Sequence, residues 1–146
     1  MPVTSTVISP VTASPKLCPC GRTDARQRPL AFNACCGAFH ADFDGLPAPD
    51  AEALMRSRYS AFVLENAAYL LATWHPSRRP ATLDFDPGAR WLGLSVKHHQ
   101  RLDDSHAEVE FVARQRDASG RATRLHERSR FVYENGRWFY VDGDQL

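Results

Sequence analysis

All four cysteines of this 146-residue chain fall between positions 18 and 36. The pattern is Cys18-Pro-Cys20-Gly followed by Cys35-Cys36-Gly, with fourteen residues between the two pairs. Two closely spaced pairs of soft ligands supply two corners each of a metal tetrahedron, so the spacing predicts a zinc site. Gly21 frees the turn that brings Cys18 and Cys20 to one ion, and Gly37 permits the bend that adjacent Cys35 and Cys36 need. A site built from cysteine alone leaves no open coordination position, which marks the Zn2+ as structural. Four unrelated thiols, or a redox role for Cys35 and Cys36, are the competing readings. His40, four residues after Cys36, is a candidate fourth ligand or a neighbour of the site.

The rest of the chain sets the context for those thiols. No apolar run approaches the roughly 20 residues that a membrane helix requires. The first residues lack the basic start and apolar stretch of a signal peptide. A cytoplasmic location without membrane insertion is expected, and there thiols stay reduced and clustered cysteines hold metal. Residues 1–16, rich in Ser, Thr and Pro, read as a disordered extension, 17–49 as a cysteine knuckle and 50–146 as a separate domain. With 43% hydrophobic residues the chain can build a core, and a net charge of +1 argues against a dedicated nucleic-acid binder.

Periodicity divides the larger segment into helices and then strands. Asp50 is placed to cap a helix carrying Met55, Tyr59, Phe62 and Val63 toward the core. Asn66 starts a second helix over AAYLLATW, which ends before Pro76, and a third element is expected near Pro87. Alternation then predicts strands over Trp91–His98, Ala107–Ala113, Thr123–Tyr133 and Trp138–Val141, with Leu92, Leu94, Val96 and His98 sharing one face of the first. Asp117–Gly120 supplies one turn, and Asn135-Gly136 supplies a tight hairpin. Helices followed by an antiparallel meander make an α+β domain.

Read together, these segments resemble a known family. Cys18-Pro-Cys20-Gly21 with Cys35-Cys36 is similar to the SEC-C motif, a zinc-binding element also found on the translocase ATPase SecA. Joined to APDAEALMRSRYSAFV (48–63), YLLATWHP (69–76), WLGL (91–94), ERSRF (127–131) and ENGRW (134–138), it resembles the YchJ-like bacterial proteins. The resemblance implies an NTF2-like domain, a cone of helices on a curved antiparallel sheet, with Cys18, Cys20, Cys35 and Cys36 as zinc ligands. Two departures stand out. The gap between the cysteine pairs is longer than the motif's usual one, so its charged residues 22–28 must bulge outward. Some members also carry a second SEC-C motif at the C-terminus, and no second set of cysteines occurs within these 146 residues.

A cone of this kind often encloses a pocket, whose candidate polar residues here are Arg56, Arg58, Tyr59, Trp74, His75, Glu127, Ser129 and Arg130. Leu125, Glu127, Ser129, Phe131 and Tyr133 share one strand face, so Glu127 is expected among aromatics, paired with Arg56 or Arg58. An inward carboxylate without such a partner would instead suit acid or base work. His98 and His99 point to opposite strand faces and cannot share an ion, so no second metal is expected from them with His106 and His126. Six arginines between positions 114 and 130 make the hairpin basic, but Arg outnumbers Lys sixteen to two throughout, and a solvated face is expected.

The leading functional expectation is an adaptor whose knuckle meets a protein partner; the alternative is a small-molecule carrier or enzyme using the cone pocket. They differ in what they require. An adaptor needs a plugged pocket, a Glu127–Arg pair and an apolar patch on the knuckle, whereas a pocket protein needs an open cavity. Alanine at Cys35 is expected to unfold 17–49 and leave the larger domain mostly intact.

Overall fold

The computed structural model describes residues 16–146, so the expected disordered extension lies, Lys16 apart, outside the described residues. A single 3-10 turn at Phe32–Ala34 leads into α1 (Cys36–Ala41), followed by α2 (Ala51–Val63) and α3 (Ala67–Ala72). Four strands complete the chain: β1 (Arg90–Arg101), β2 (His106–Arg116), β3 (Ala122–Glu134) and β4 (Arg137–Gln145). They form one antiparallel sheet in the order β1-β2-β3-β4. The α+β order read from the sequence is observed. No helix or strand forms near Pro87; Asp86 instead closes a turn by accepting the Gly88 amide, and β1 begins at Arg90.

Both predicted caps are made. The Asp50 side chain accepts the Ala53 amide at 2.7 Å, and Asn66 accepts that of Tyr69 at 3.1 Å. Each satisfies one backbone donor that the first turn of a helix leaves free. Asp50→Ala is expected to cost about 1 kcal/mol, measurable as a lower urea midpoint at unchanged slope.

Nine of the thirteen residues of α2 are buried, including Ser57, Arg58 and Ser60. A helix buried on nearly every side needs a packing partner on each. One partner is the sheet and the other is the cysteine segment: Cys18, Cys20 and Cys36 belong to the same buried cluster as Leu54, Met55, Tyr59, Phe111 and Phe131. No gap in the core therefore coincides with position 49.

Three irregularities shape the sheet, one of them between Val96 and His98 in β1. A shift in register between Trp91 and Gly93 resets the alternation of β1. Trp91, Leu94 and Val96 pack on the core, and Leu92, expected to share a face with Leu94 and Val96, is 47% exposed. A bulge adds one residue to one strand and so transfers every later side chain to the other face. A further shift, at Arg130/Phe131, lets β4 run on past Val141 and pair Ser129 with Gly143 and Glu127 with Gln145. The Asn135-Gly136 hairpin has positive φ at both residues, 53° and 81°, as a tight turn between twisted strands requires. Beyond α3 the chain lies alongside β4, with His75 N–H donating to Tyr140 O at 2.7 Å and Tyr140 N–H to Thr73 O at 2.9 Å, which covers the outer edge of that strand.

Candidate metal centre and cone cavity

The four cysteine sulfurs converge, all within 4.8 Å of one another. Cys18–Cys20, Cys20–Cys35 and Cys35–Cys36 separations are 3.6, 3.7 and 4.0 Å. A tetrahedron with zinc–sulfur bonds of about 2.3 Å has edges of about 3.8 Å, so the donor set fits that ion. Burial and the neighbouring sulfurs push the Cys35 thiol up to about 12, while the hydrogen bond shared with Cys20 lowers Cys18. Sulfurs this close shed all their protons together only when a cation takes up the charge.

The local chain explains the convergence. Gly21 turns with φ of 75°. At Cys35 the backbone leaves the helical region, with φ −135° and ψ −117°, and this bend aims two adjacent side chains at one point. Gly37 serves through its small size rather than through its φ. It lies within α1, and a Cβ there would meet the Phe32 ring and carbonyl at 2.7 Å. The long gap folds outward as a capped turn: Asp24 accepts the amides of Arg26 and Arg28, and Leu30 N–H returns to Arg22 O.

His40 is not drawn into the cluster. Its Nε2 bonds Ser57 O at 2.8 Å and its ring lies 4.4 Å from that of Tyr69, while burial holds its pKa below the usual imidazole value. The other histidines are dispersed: His99 faces Glu52, His126 bonds Glu110, His106 bonds Asp103 and His98 approaches Gln100. Among the described residues the four cysteines alone form a cluster suited to a metal.

On the opposite side of α2, between the helix and the sheet, lies a cavity of about 230 Å³. Of the pocket residues expected from the sequence, Arg58, Tyr59, Trp74, Glu127 and Ser129 line it. Three do not. Arg56 lies toward the knuckle, pairing with Glu52 at 2.8 Å and donating to Cys20 O at 3.0 Å. His75 bonds Ser77 and Glu134 beyond the cavity. Arg130 points to the outer face of β3, where Asp142 and Asp144 hold it at 2.6 Å each; alternation from inward Ser129 requires this. Arg128 approaches Glu110 at 4.0 Å, so two of the six hairpin arginines are paired with carboxylates.

The expected Glu127–arginine pair is also corrected. Neither Arg56 nor Arg58 comes within 4.0 Å of that carboxylate. Ser129 Oγ donates to Glu127 at 2.6 Å, Gln145 at 3.0 Å and Tyr140 at 3.4 Å. Gly143 lies directly beside the carboxylate, and a Cβ there would press against it. Tyr140, Gly143 and Gln145 escaped the sequence reading; the cross-strand position of Gly143 opposite Ser129 is the signal that could have found it. Arg58, only 6% exposed, donates through Nη1 to Leu70 O and Thr73 Oγ1, capping the end of α3. Its guanidinium also lies over Tyr140 and Trp74, 4.5 and 5.1 Å from the ring centroids. Burial lowers its pKa to about 10 and pushes Tyr59 and Tyr140 up to about 12.

Comparison with known proteins joins the two halves. Residues 50–143 match the family described as the YchJ middle NTF2-like domain. The chain belongs to the YchJ-like family. A UPF0225 protein from a Polaromonas species is 67% identical over 127 residues, covering 87% of this chain and 91% of its own. One from Bordetella parapertussis is 59% identical, covering 90% and 95%. Among solved structures, a SEC-C motif containing protein from Rhodopseudomonas palustris superimposes with a TM-score of 0.75 at 33% identity, covering 90% of this chain and 99% of that one. A second, from Psychrobacter arcticus, gives 0.73 at 32%, covering 87% and 81%. A YchJ-like cone preceded by a SEC-C segment is thus the architecture, and among its described residues no helix is long and apolar enough to cross a membrane.

Proposed function

We propose that this chain binds a small molecule in its cone cavity and that the four cysteines hold one structural zinc ion that braces α2 from behind. The observation that carries the reading is an open, largely apolar cavity with a buried arginine on its wall that no carboxylate pairs. An adaptor built on the knuckle has less support. Its exposed large apolar side chains there, Leu17 and Leu46, are two isolated residues, and single exposed apolar residues are ordinary. In the cysteine site the zinc supplies charge compensation and cross-linking and leaves no position for chemistry.

Ala113 lies on the cavity floor and is 2% exposed. Single-ring probes (toluene, benzamide and benzoate) titrated into the zinc-loaded chain are expected to change the fluorescence of Trp74 and Trp91. Ala113→Phe, which fills the space, is expected to remove that response while keeping or raising Tm. Absence of any response from all three probes in the wild-type chain would overturn the cavity reading.

A further inference from the structure

A buried guanidinium ordinarily meets an anion, because desolvating the charge is costly unless it is paired. Arg58 has no such partner among the described residues. Its Nη1 is fully occupied by Leu70 O and Thr73 Oγ1, but Nε and Nη2 form no hydrogen bond. Neither atom is sealed from space, since the one buried side-chain polar atom without a partner among the described residues is Trp74 Nε1. Nε and Nη2 therefore open onto the cavity that Arg58 lines. The Trp74 ring lies against the same guanidinium and lines the same cavity, while its own unpartnered N–H is sealed within the wall. The unmet donors that reach the cavity are thus the two on the Arg58 edge.

The remaining wall is apolar, formed by Phe62, Trp91, Phe111, Leu125 and Phe131. A cavity of about 150 Å³ holds benzene, so 230 Å³ accommodates one ring with a small substituent. Glu127 also lines the cavity and opposes an anion there. Its carboxylate already accepts from Ser129, Gln145 and Tyr140, and it is partly exposed, where solvent screens its charge more than it screens Arg58.

We propose, building on the cavity reading above, that the ligand is a small carboxylate with a single-ring apolar body, its acid group meeting Nε and Nη2 of Arg58 beside the Trp74 ring. Arg and a carboxylate form parallel hydrogen bonds through the guanidinium edge, and that edge is what the fold leaves free.

The test compares benzoate, benzamide, benzylamine and toluene by calorimetry and ¹H–¹⁵N NMR on the full zinc-loaded chain. Benzoate is expected to bind at least about tenfold more tightly than benzylamine or toluene, as loss of a charged hydrogen bond implies, and to shift the Trp74 indole N–H signal. Arg58→Met is expected to abolish binding, but Arg58 also caps α3, so two milder variants carry the test. Arg58→Lys, which keeps the charge and a donor for α3 but loses the two-pronged edge, is expected to weaken benzoate several-fold. Glu127→Gln, which removes the opposing charge, is expected to tighten it several-fold and leave toluene unchanged. If toluene or benzylamine binds as tightly as benzoate, or Glu127→Gln weakens benzoate, the acid-binding proposal is overturned and the cavity reading stands. If none of the four binds, both are overturned.

Discussion

Removing the metal, by chelation or by Cys36→Ser, is expected to lower the melting temperature of the whole chain and not of residues 17–49 alone. The sequence suggested two segments that fold separately, but Cys18, Cys20 and Cys36 lie in one buried cluster with Leu54, Met55, Tyr59 and Phe131. Arg56 donates to Cys20 O, and Cys18 Sγ lies 3.5 Å from Ser60 Oγ, so α2 is tied to the site at two points. Apparent binding energies of structural zinc sites are on the order of 10 kcal/mol, and part of that is folding energy. A net loss of several kcal/mol corresponds to a fall in Tm on the order of 10–20 °C for a chain this size. Circular dichroism at a helical and a strand wavelength checks this, with both signals melting together. Loss of the α1 signal with an unchanged sheet transition would contradict it.

Phe131→Ala is expected to cost about 3–5 kcal/mol. Phe131 is 2% exposed, packs edge-on against Tyr140 with ring centroids 5.8 Å apart, and forms part of the cavity wall. Truncation there enlarges space that is already open, so the surroundings have little to collapse onto and the loss falls toward the upper end. Phe131→Leu, closer in volume, is expected to cost less than about 1.5 kcal/mol. Urea denaturation separates the two: both midpoints fall, the alanine variant's by much more. Equal costs would mean that the wall relaxes freely around this ring.

What the sequence made legible follows from how local each signal is. The cysteine spacing, the Asp50 and Asn66 caps and the Asn135-Gly136 turn depend on neighbours within a few residues, and each is seen in the structure. Leu92 was misplaced because a bulge is invisible to strict alternation. The far half of β4 was missed because Asp142, Gly143 and Asp144 are poor strand formers; pairing with β3 holds them extended despite that. The same omission hid the partners of Glu127 and left an arginine as its expected neighbour. Ser57 and Ser60 drew no reading from the sequence, yet both are fully buried beneath the cysteine segment and α3. A helix sandwiched between two partners shows no polar stripe from which its second partner can be read.

One zinc ion held by four sulfurs is proposed to sit behind the helix whose opposite face lines the cavity. X-ray absorption at the zinc edge of the purified chain reads the ion and its donors. The expected result is one zinc per chain with four sulfur neighbours at about 2.3 Å and no nitrogen, lost in Cys36→Ser. A nitrogen scatterer, such as His40 would supply, or a chain that folds and binds benzoate without metal, would contradict it.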